Sequence, residues 1–334
     1  MTPNVVFHIG APKTGSTYLQ KRLRNNTDVL ARHHLHYPVV AGFEKVKANA
    51  KRLTIAFDAD LAGNFSINFP DLDLSSLDPR EELDALVKSP PADTKTIILS
   101  SEKMRNWQAK PLADLIGSDF PCRIVLYVRK QDDWLDSYFN QLVKNRECQS
   151  IDDAVDKAVS GHDRTFFCPD WLLNYNEWSE NFEDLKVVPY DAPAGDIFEK
   201  FVRAMDFPRS DVFHDIEKTN ESLSTFEITY LARVGTDVGL PQFLKRRKAC
   251  KEIARIVART GGKASFLSKQ HRQALRDRFQ AGNSELLARL GLDDDLLAIK
   301  PEAENFVSIS DIAASDGFKD FESAVKRVMN RPKQ

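Results

Sequence analysis

Apolar positions along the chain alternate between two patterns. Short β-branched runs occur at Val5-Val6-Phe7, Ile97-Ile98-Leu99, Ile124-Val125-Leu126-Tyr127-Val128 and Val187-Val188. Near-continuous apolar runs of this length suit strands covered on both faces. They predict strands near residues 5–9, 96–100, 123–129 and 185–190. Between them, apolar residues recur three and four apart, as in Leu19 and Leu23, or Trp134, Leu135, Tyr138, Phe139, Leu142 and Val143. That spacing puts them on one helical face. It predicts helices from Thr17 onward and over 25–32, 43–57, 79–88, 111–116, 132–146, 151–159, 171–182 and 197–205. Strands alternating with helices imply a parallel, doubly wound sheet. From about residue 215 the pattern is helical only: 224–235, 241–259, 268–279 and 283–290. No composition break separates that part, so the expectation is one domain over 1–334, an α/β core to about 214 with a helical cap after it. Residues 58–79 are rich in Asp, Ser, Asn and Pro and read as a long loop of the kind that forms a lid or substrate wall.

The first strand runs into Gly10-Ala11-Pro12-Lys13-Thr14-Gly15-Ser16-Thr17 and then a helix. A strand, a glycine-bearing turn and a helix start leave first-turn N–H groups facing the turn, helped by the helix dipole. Pro12 to Thr17 are therefore candidate anion-binding residues. Lys13 supplies a mobile charge, and Thr14, Ser16 and Thr17 supply hydroxyls. In a Walker A loop the lysine follows the second glycine, whereas here Lys13 precedes Gly15. A metal-dependent phosphotransferase also needs a carboxylate at a neighbouring strand end. The neighbouring strand ends here carry Glu102 and Arg129, and only Glu102 could serve. The turn thus suits a phosphate-bearing donor handled without an obligatory metal.

Composition narrows the field. The chain has 334 residues, 42% hydrophobic and 29% charged, with a formal net charge of -2. This is an ordinary globular balance, with no overall electrostatic case for nucleic acid or a membrane surface. Cys122, Cys148, Cys168 and Cys250 show no C-x-x-C pairing and fit small core residues in a reducing compartment. The first strand starts too early for a signal peptide, and no apolar run has the length of a span. The expectation is a cytoplasmic protein.

Arg129 sits at the C-terminal end of its strand, where open α/β sheets bind ligands. Ser137 follows in the first turns of the next helix. A guanidinium fork with a hydroxyl suits a second phosphate. The alternative is that Arg129 pairs with Asp132 or Asp133 and Ser137 is a solvated surface residue. The order of the first turn and the stretch from Val125 to Arg129 with Ser137 resemble PAPS-dependent sulfotransferases, in particular their soluble bacterial branch (PAPS is 3′-phosphoadenosine 5′-phosphosulfate). The resemblance covers the chain to about residue 235 and is strongest at 5–24 and 96–146. It implies a three-layer, P-loop-NTPase-like parallel sheet, PAPS as co-substrate with no metal required, and release of 3′,5′-ADP. It implies the 5′ end on Pro12, Lys13, Thr14, Gly15, Ser16 and Thr17, and the 3′-phosphate on Arg129 and Ser137. Val187-Val188-Pro189-Tyr190-Asp191 is similar to the family strand whose tyrosine approaches adenine, and Lys218-Thr219-Asn220-Glu221-Ser222 to the loop closing over the nucleotide.

Sulfuryl transfer needs a base for the acceptor hydroxyl and positive charge on the leaving oxygen. Lys13 is the candidate for the charge and Glu102 for the base. Glu102 could instead pair with Lys103, Arg105 or Lys13. Rival bases are Glu44 and the histidines His33, His34 and His36; where some members carry a histidine this chain has Asn49-Ala50. Lys245, Arg246, Arg247, Lys248, Lys251, Arg255 and Arg259 form a basic stretch, read either as a wall for an anion or as a solvated helix face. Trp107, Trp134, Trp171 and Trp178 fit a sugar site or the core. The implied acceptor is a hydroxyl on a carbohydrate or other small glycan-like molecule. A Mg-dependent phosphotransferase and a catalytically silent nucleotide-binding protein are the alternatives. Oligomeric state is not legible.

Overall fold

A computed structural model describes residues 2–39, 48–58, 77–117, 119–162, 166–193, 195–207, 210–216, 223–235, 237–256, 264–303 and 305–330. In chain order the elements are β1 (Asn4–Gly10), α1 (Ser16–Asn25), α2 (Thr27–Arg32), β2 (Leu35–His36), α3 (Lys51–Ala56), α4 (Pro79–Val87), β3 (Thr96–Ser101), α5 (Ala109–Ile116), β4 (Cys122–Val128), α6 (Gln131–Asn145), α7 (Ile151–Ser160), α8 (Trp171–Ser179), β5 (Asp184–Pro189), α9 (Ile197–Ala204), α10 (Thr225–Val234), α11 (Leu240–Ile256), α12 (Lys269–Leu290), α13 (Ile309–Ala314) and α14 (Asp316–Met329).

The chain divides into two compact units. The first comprises Met1–Arg129, Pro169–Lys218 and Gly282–Leu297. It holds a five-stranded sheet, all parallel, in the order β2-β3-β1-β4-β5. The α/β parallel architecture expected from the alternating pattern is therefore present. Both faces of β1 are covered. Val6 joins Leu19, Leu23, Val125, Tyr127, Phe198 and Phe201 in one buried cluster, while Val5, Phe7 and Ile9 of the opposite face are at most 2% exposed. The polar residue interrupting this strand, His8, is fully buried too. Tyr18 and Arg22 tie α1 to the start of α9, each bonding Asp196 Oδ2, at 2.8 and 3.0 Å.

The second unit comprises Lys130–Cys168, Thr219–Ala281 and Ala298–Gln334. The apolar stripe of α6 is buried as its spacing predicts, with Trp134 stacked on Tyr138 at 4.7 Å. Asp132, fully buried, pairs with Arg272. Asp136 accepts from Ser265 Oγ and the Phe266 N–H, and burial pushes its carboxyl up to about 6. On α11, Arg246 donates to the Tyr230 hydroxyl and Arg247 to the Lys144 carbonyl, so the basic stretch is partly built into the helix packing. Among the described residues no helix is long and apolar enough to cross a membrane.

Several boundaries differ from the pattern. β2 is only two residues long, too short to show a period. The helix expected over 43–57 is helical only from Lys51 to Ala56, with 48–50 outside it and 41–47 outside the described residues. Most of the loop expected over 58–79 lies outside them also, and Pro79 opens α4 behind an Asp78 cap. The two helices expected over 268–279 and 283–290 are one, because Gly282 has no stop around it and Asn283 is buried, donating to the Leu297 carbonyl. Trp134, Trp171 and Trp178 are core residues at 0–1% exposure, whereas Trp107 is exposed.

Asn49 edges β3 as a strand would: its amide donates to the Ile98 carbonyl and accepts from the Ser100 N–H, at 2.9 and 2.8 Å. Both backbone groups are buried, so losing the side chain leaves them unpaired. Asn49→Ala should lower stability by about 2 kcal/mol in urea unfolding; an unchanged midpoint would show that this edge is not formed.

Candidate functional site

The sheet order creates a switch point at β1. The chain leaves β1 for the β2–β3 side and then crosses to β4, so the tip of β1 is flanked by tips whose connections run opposite ways, where ligands bind in open α/β sheets. The registers keep these tips level: Ile9 faces Ser101 on one side and Leu126 on the other. One residue beyond each outer strand come Glu102 and Arg129.

From β1 the chain turns through Ala11 to Gly15. Lys13 has φ 68° and Gly15 φ 85°. Left-handed backbone is easy for glycine and unfavourable for lysine, so the surroundings must impose it at Lys13. Three contacts do so. Thr14 Oγ1 donates to the Ala11 carbonyl at 2.7 Å, bracing the turn from inside. Gly15 approaches α9 so closely that a Cβ would stand 2.7 Å from Ile197 Cδ1. Arg129 Nη1 donates to the Lys13 carbonyl at 2.9 Å. Backbone N–H groups around left-handed residues form concave anion-binding nests. Helix α1 starts at Ser16 with no side-chain cap and no acidic residue in its first turn, leaving the positive helix end available to a ligand.

Arg129 is 7% exposed, its guanidinium 4.6 Å from the Tyr190 ring centroid. Trp171 Nε1 donates to the Arg129 carbonyl at 2.7 Å. The Tyr190 N–H donates to the Val128 carbonyl at 2.7 Å, and the Tyr190 carbonyl accepts from Lys200 Nζ at 2.6 Å. The structure thus brings Lys13, Thr14, Gly15, Ser16, Arg129 and Tyr190 together. Ser137 belongs to the second unit, half-buried on α6. Ser222 and Glu44 lie outside the described residues. Arg129 bonds the turn.

Glu102 lies in the turn after β3, half-buried. Thr54 Oγ1 donates to Ser101 Oγ at 2.6 Å, and the Ala50 N–H to the Ser100 carbonyl at 3.2 Å. These bonds bring the start of α3, and with it Lys51, to the β3 tip. Lys51 is 8% exposed. Burial, and then the neighbouring Lys103, push its amine down to about 8, against the attraction of Glu102. The sequence pattern pointed to Lys103, Arg105 or Lys13 beside Glu102 and missed Lys51, which lies far off in the chain. The histidines sit elsewhere. The His34 carbonyl accepts the Lys95 and Thr96 N–H groups, and His36 pairs with Ile97, so both lie toward the N-terminal end of β3. His33 packs its ring near Phe213.

Sequence reasoning also missed a buried group beneath the turn. His8 Nδ1 is 2.8 Å from Ser100 Oγ, which accepts from Gln20 Nε2 at 3.0 Å. A polar residue inside an apolar strand, with a glutamine on the buried face of the next helix, was the available signal. Among the described residues, no group large enough to suggest a metal cluster of His, Cys, Asp and Glu occurs.

No protein-family model matches the chain, and no curated protein matches it in sequence. Among solved structures it is similar to a sulfotransferase from Alicyclobacillus acidocaldarius, at 16% identity and a TM-score of 0.47, over 88% of this chain and 97% of that one.

Burial holds the His8 ring down at about 3, against 6.5 for an unperturbed histidine. Between those values the unfolded chain binds a proton that the folded chain refuses. Stability therefore falls as pH drops from about 6.5, by about 1.4 kcal/mol per pH unit for this group. Urea midpoints measured from about pH 6.5 down to 4 should decline less steeply in His8→Gln than in the wild type; parallel curves would contradict a neutral buried ring.

Proposed function

We propose that this chain is a sulfotransferase that moves a sulfuryl group from PAPS to a hydroxyl of a carbohydrate or similar small acceptor and releases 3′,5′-ADP. The observation that carries it is the meeting of the Lys13 turn with Arg129. An uncapped helix start, a left-handed turn and a guanidinium converge at the switch point of a parallel sheet. That combination suits a nucleotide bearing anions at both its 5′ and 3′ positions. A metal-free arrangement agrees with the placement of Lys13 ahead of Gly15 rather than after it.

The turn from Pro12 to Thr17 holds the 5′ end through backbone N–H groups and hydroxyls. Arg129 holds the 3′-phosphate with guanidinium donors that remain beside its bond to the Lys13 carbonyl, and Tyr190 packs beneath it toward the adenine. In the reaction the acceptor oxygen attacks sulfur in line. A new S–O bond forms as the bond to the bridging oxygen of the 5′-phosphate breaks. The acceptor's proton passes to Glu102. Charge building on the departing oxygen is met by the Lys13 ammonium and the backbone of the turn. Lys51 beside Glu102 adds positive charge on the acceptor side, which suits an acceptor carrying its own anionic groups. The chain works in the cytoplasm on this reading.

Calorimetry should show 3′,5′-ADP binding at least about tenfold tighter than 5′-AMP, because the 3′-phosphate gains charge-assisted bonds. Arg129→Ala should abolish that preference, whatever it does to overall affinity. Equal affinities in the wild type would contradict the proposal. Mg-dependent turnover of ATP or GTP would replace it with a phosphotransferase. Tight 3′,5′-ADP binding without transfer to any of a broad acceptor panel would leave a nucleotide-binding protein.

A further inference from the structure

Beneath the Lys13 turn, polar side chains crowd a single backbone atom. A Cβ built on Gly10 would stand 2.8 Å from Ser16 Oγ, 3.0 Å from His8 Nε2 and 3.0 Å from Thr14 Oγ1. The hydroxyl of Thr14 is committed to the Ala11 carbonyl. The other two atoms, His8 Nε2 and Ser16 Oγ, are buried and have no hydrogen-bond partner among the described residues. His8 is 0% exposed and Ser16 2%. Two orphan polar atoms in so buried a place cost stability unless something else satisfies them.

Ser100 Oγ accepts from Gln20 Nε2 and stands 2.8 Å from His8 Nδ1. With the amide hydrogen on that oxygen, the Ser100 hydroxyl can give its own hydrogen to Nδ1. That tautomer, which is part of the proposal below and is tested with it, puts the ring's hydrogen on Nε2, the atom facing Gly10. Tyr127 and Phe201 meet the ring edge-to-face, at centroid distances of 5.1 and 6.2 Å, and hold it in place. Burial pushes the ring down to about 3, so near neutral pH it is uncharged and carries one N–H.

We propose that His8 is the floor of the anion site: its Nε2–H and the Ser16 hydroxyl bind one oxygen of an anion seated in the turn, from below, while the backbone N–H groups bind it from the sides. This rests on reading the turn as the cradle of a nucleotide's 5′ group. It adds to that cradle a donor lying outside the turn, on the strand that precedes it. It also gives a reason for glycine at position 10, since a Cβ there would press on both donors.

The test uses the full-length chain with inorganic pyrophosphate as probe. Two substitutions separate the ring's two nitrogens. His8→Asn keeps a group near Ser100 and removes the donor at the Nε2 position. His8→Gln places an amide nitrogen near that position and gives up the Ser100 contact. Calorimetry should show pyrophosphate binding weakened about 10-fold to 100-fold in His8→Asn, as for a bond to a charged group, and within about threefold of wild type in His8→Gln. NMR of wild-type protein labelled with ¹⁵N-histidine should show hydrogen on Nε2 and a shift of that resonance on adding pyrophosphate. Wild-type affinity in His8→Asn, equal losses in both variants, hydrogen on Nδ1, or no pyrophosphate binding by the wild type would each overturn the proposal. The nucleotide reading fails separately: pyrophosphate binding that depends on His8, with no preference for 3′,5′-ADP over 5′-AMP, leaves the floor in place and removes the sulfuryl donor.

Discussion

The site depends on one hydrogen bond, from Arg129 Nη1 to the Lys13 carbonyl. It joins the tip of β4 to the turn after β1 and helps hold a lysine in backbone territory that glycine normally takes. Gly15, pressed against Ile197, and Thr14, bonded to Ala11, complete the restraint. A turn held this way presents its N–H groups inward before any ligand arrives. Pre-organisation of this kind removes an ordering cost from binding and from the transition state.

Around that bond the charges are divided between the two flanks of β1. On the β4 side stand Arg129 and, against its guanidinium, the ring of Tyr190. On the β3 side stand Glu102 and the buried amine of Lys51, brought there by bonds from Ala50 and Thr54 to Ser100 and Ser101. On the proposed reading, the nucleotide end and the acceptor end of the transfer have separate walls with the turn between them. Below the turn the wall is His8, neutral because it is buried and oriented by Ser100 and Gln20.

Much of this was legible in the chain. Strands covered on both faces leave apolar runs, so β1, β3, β4 and β5 were readable, and so was the turn, because Gly10, Pro12 and Gly15 interrupt the apolar run before the helix. Arg129 was legible as the residue following an apolar strand. What the pattern missed has a common cause. Lys51 reaches Glu102 only because Asn49 and Ala50 bond the edge of β3, a pairing with no periodic signature. β2 was too short to show a period. His8 looked like an interruption in a strand, and its partners Ser100 and Gln20 lie on different elements.

The most direct test of the account is a crystal structure with 3′,5′-ADP. The 5′-phosphate should lie inside the turn from Pro12 to Thr17, the 3′-phosphate on the guanidinium of Arg129, and the carboxylate of Glu102 should face the place where the sulfuryl group would sit. A nucleotide bound elsewhere, or one in the turn with its 3′-phosphate directed away from Arg129, would contradict it.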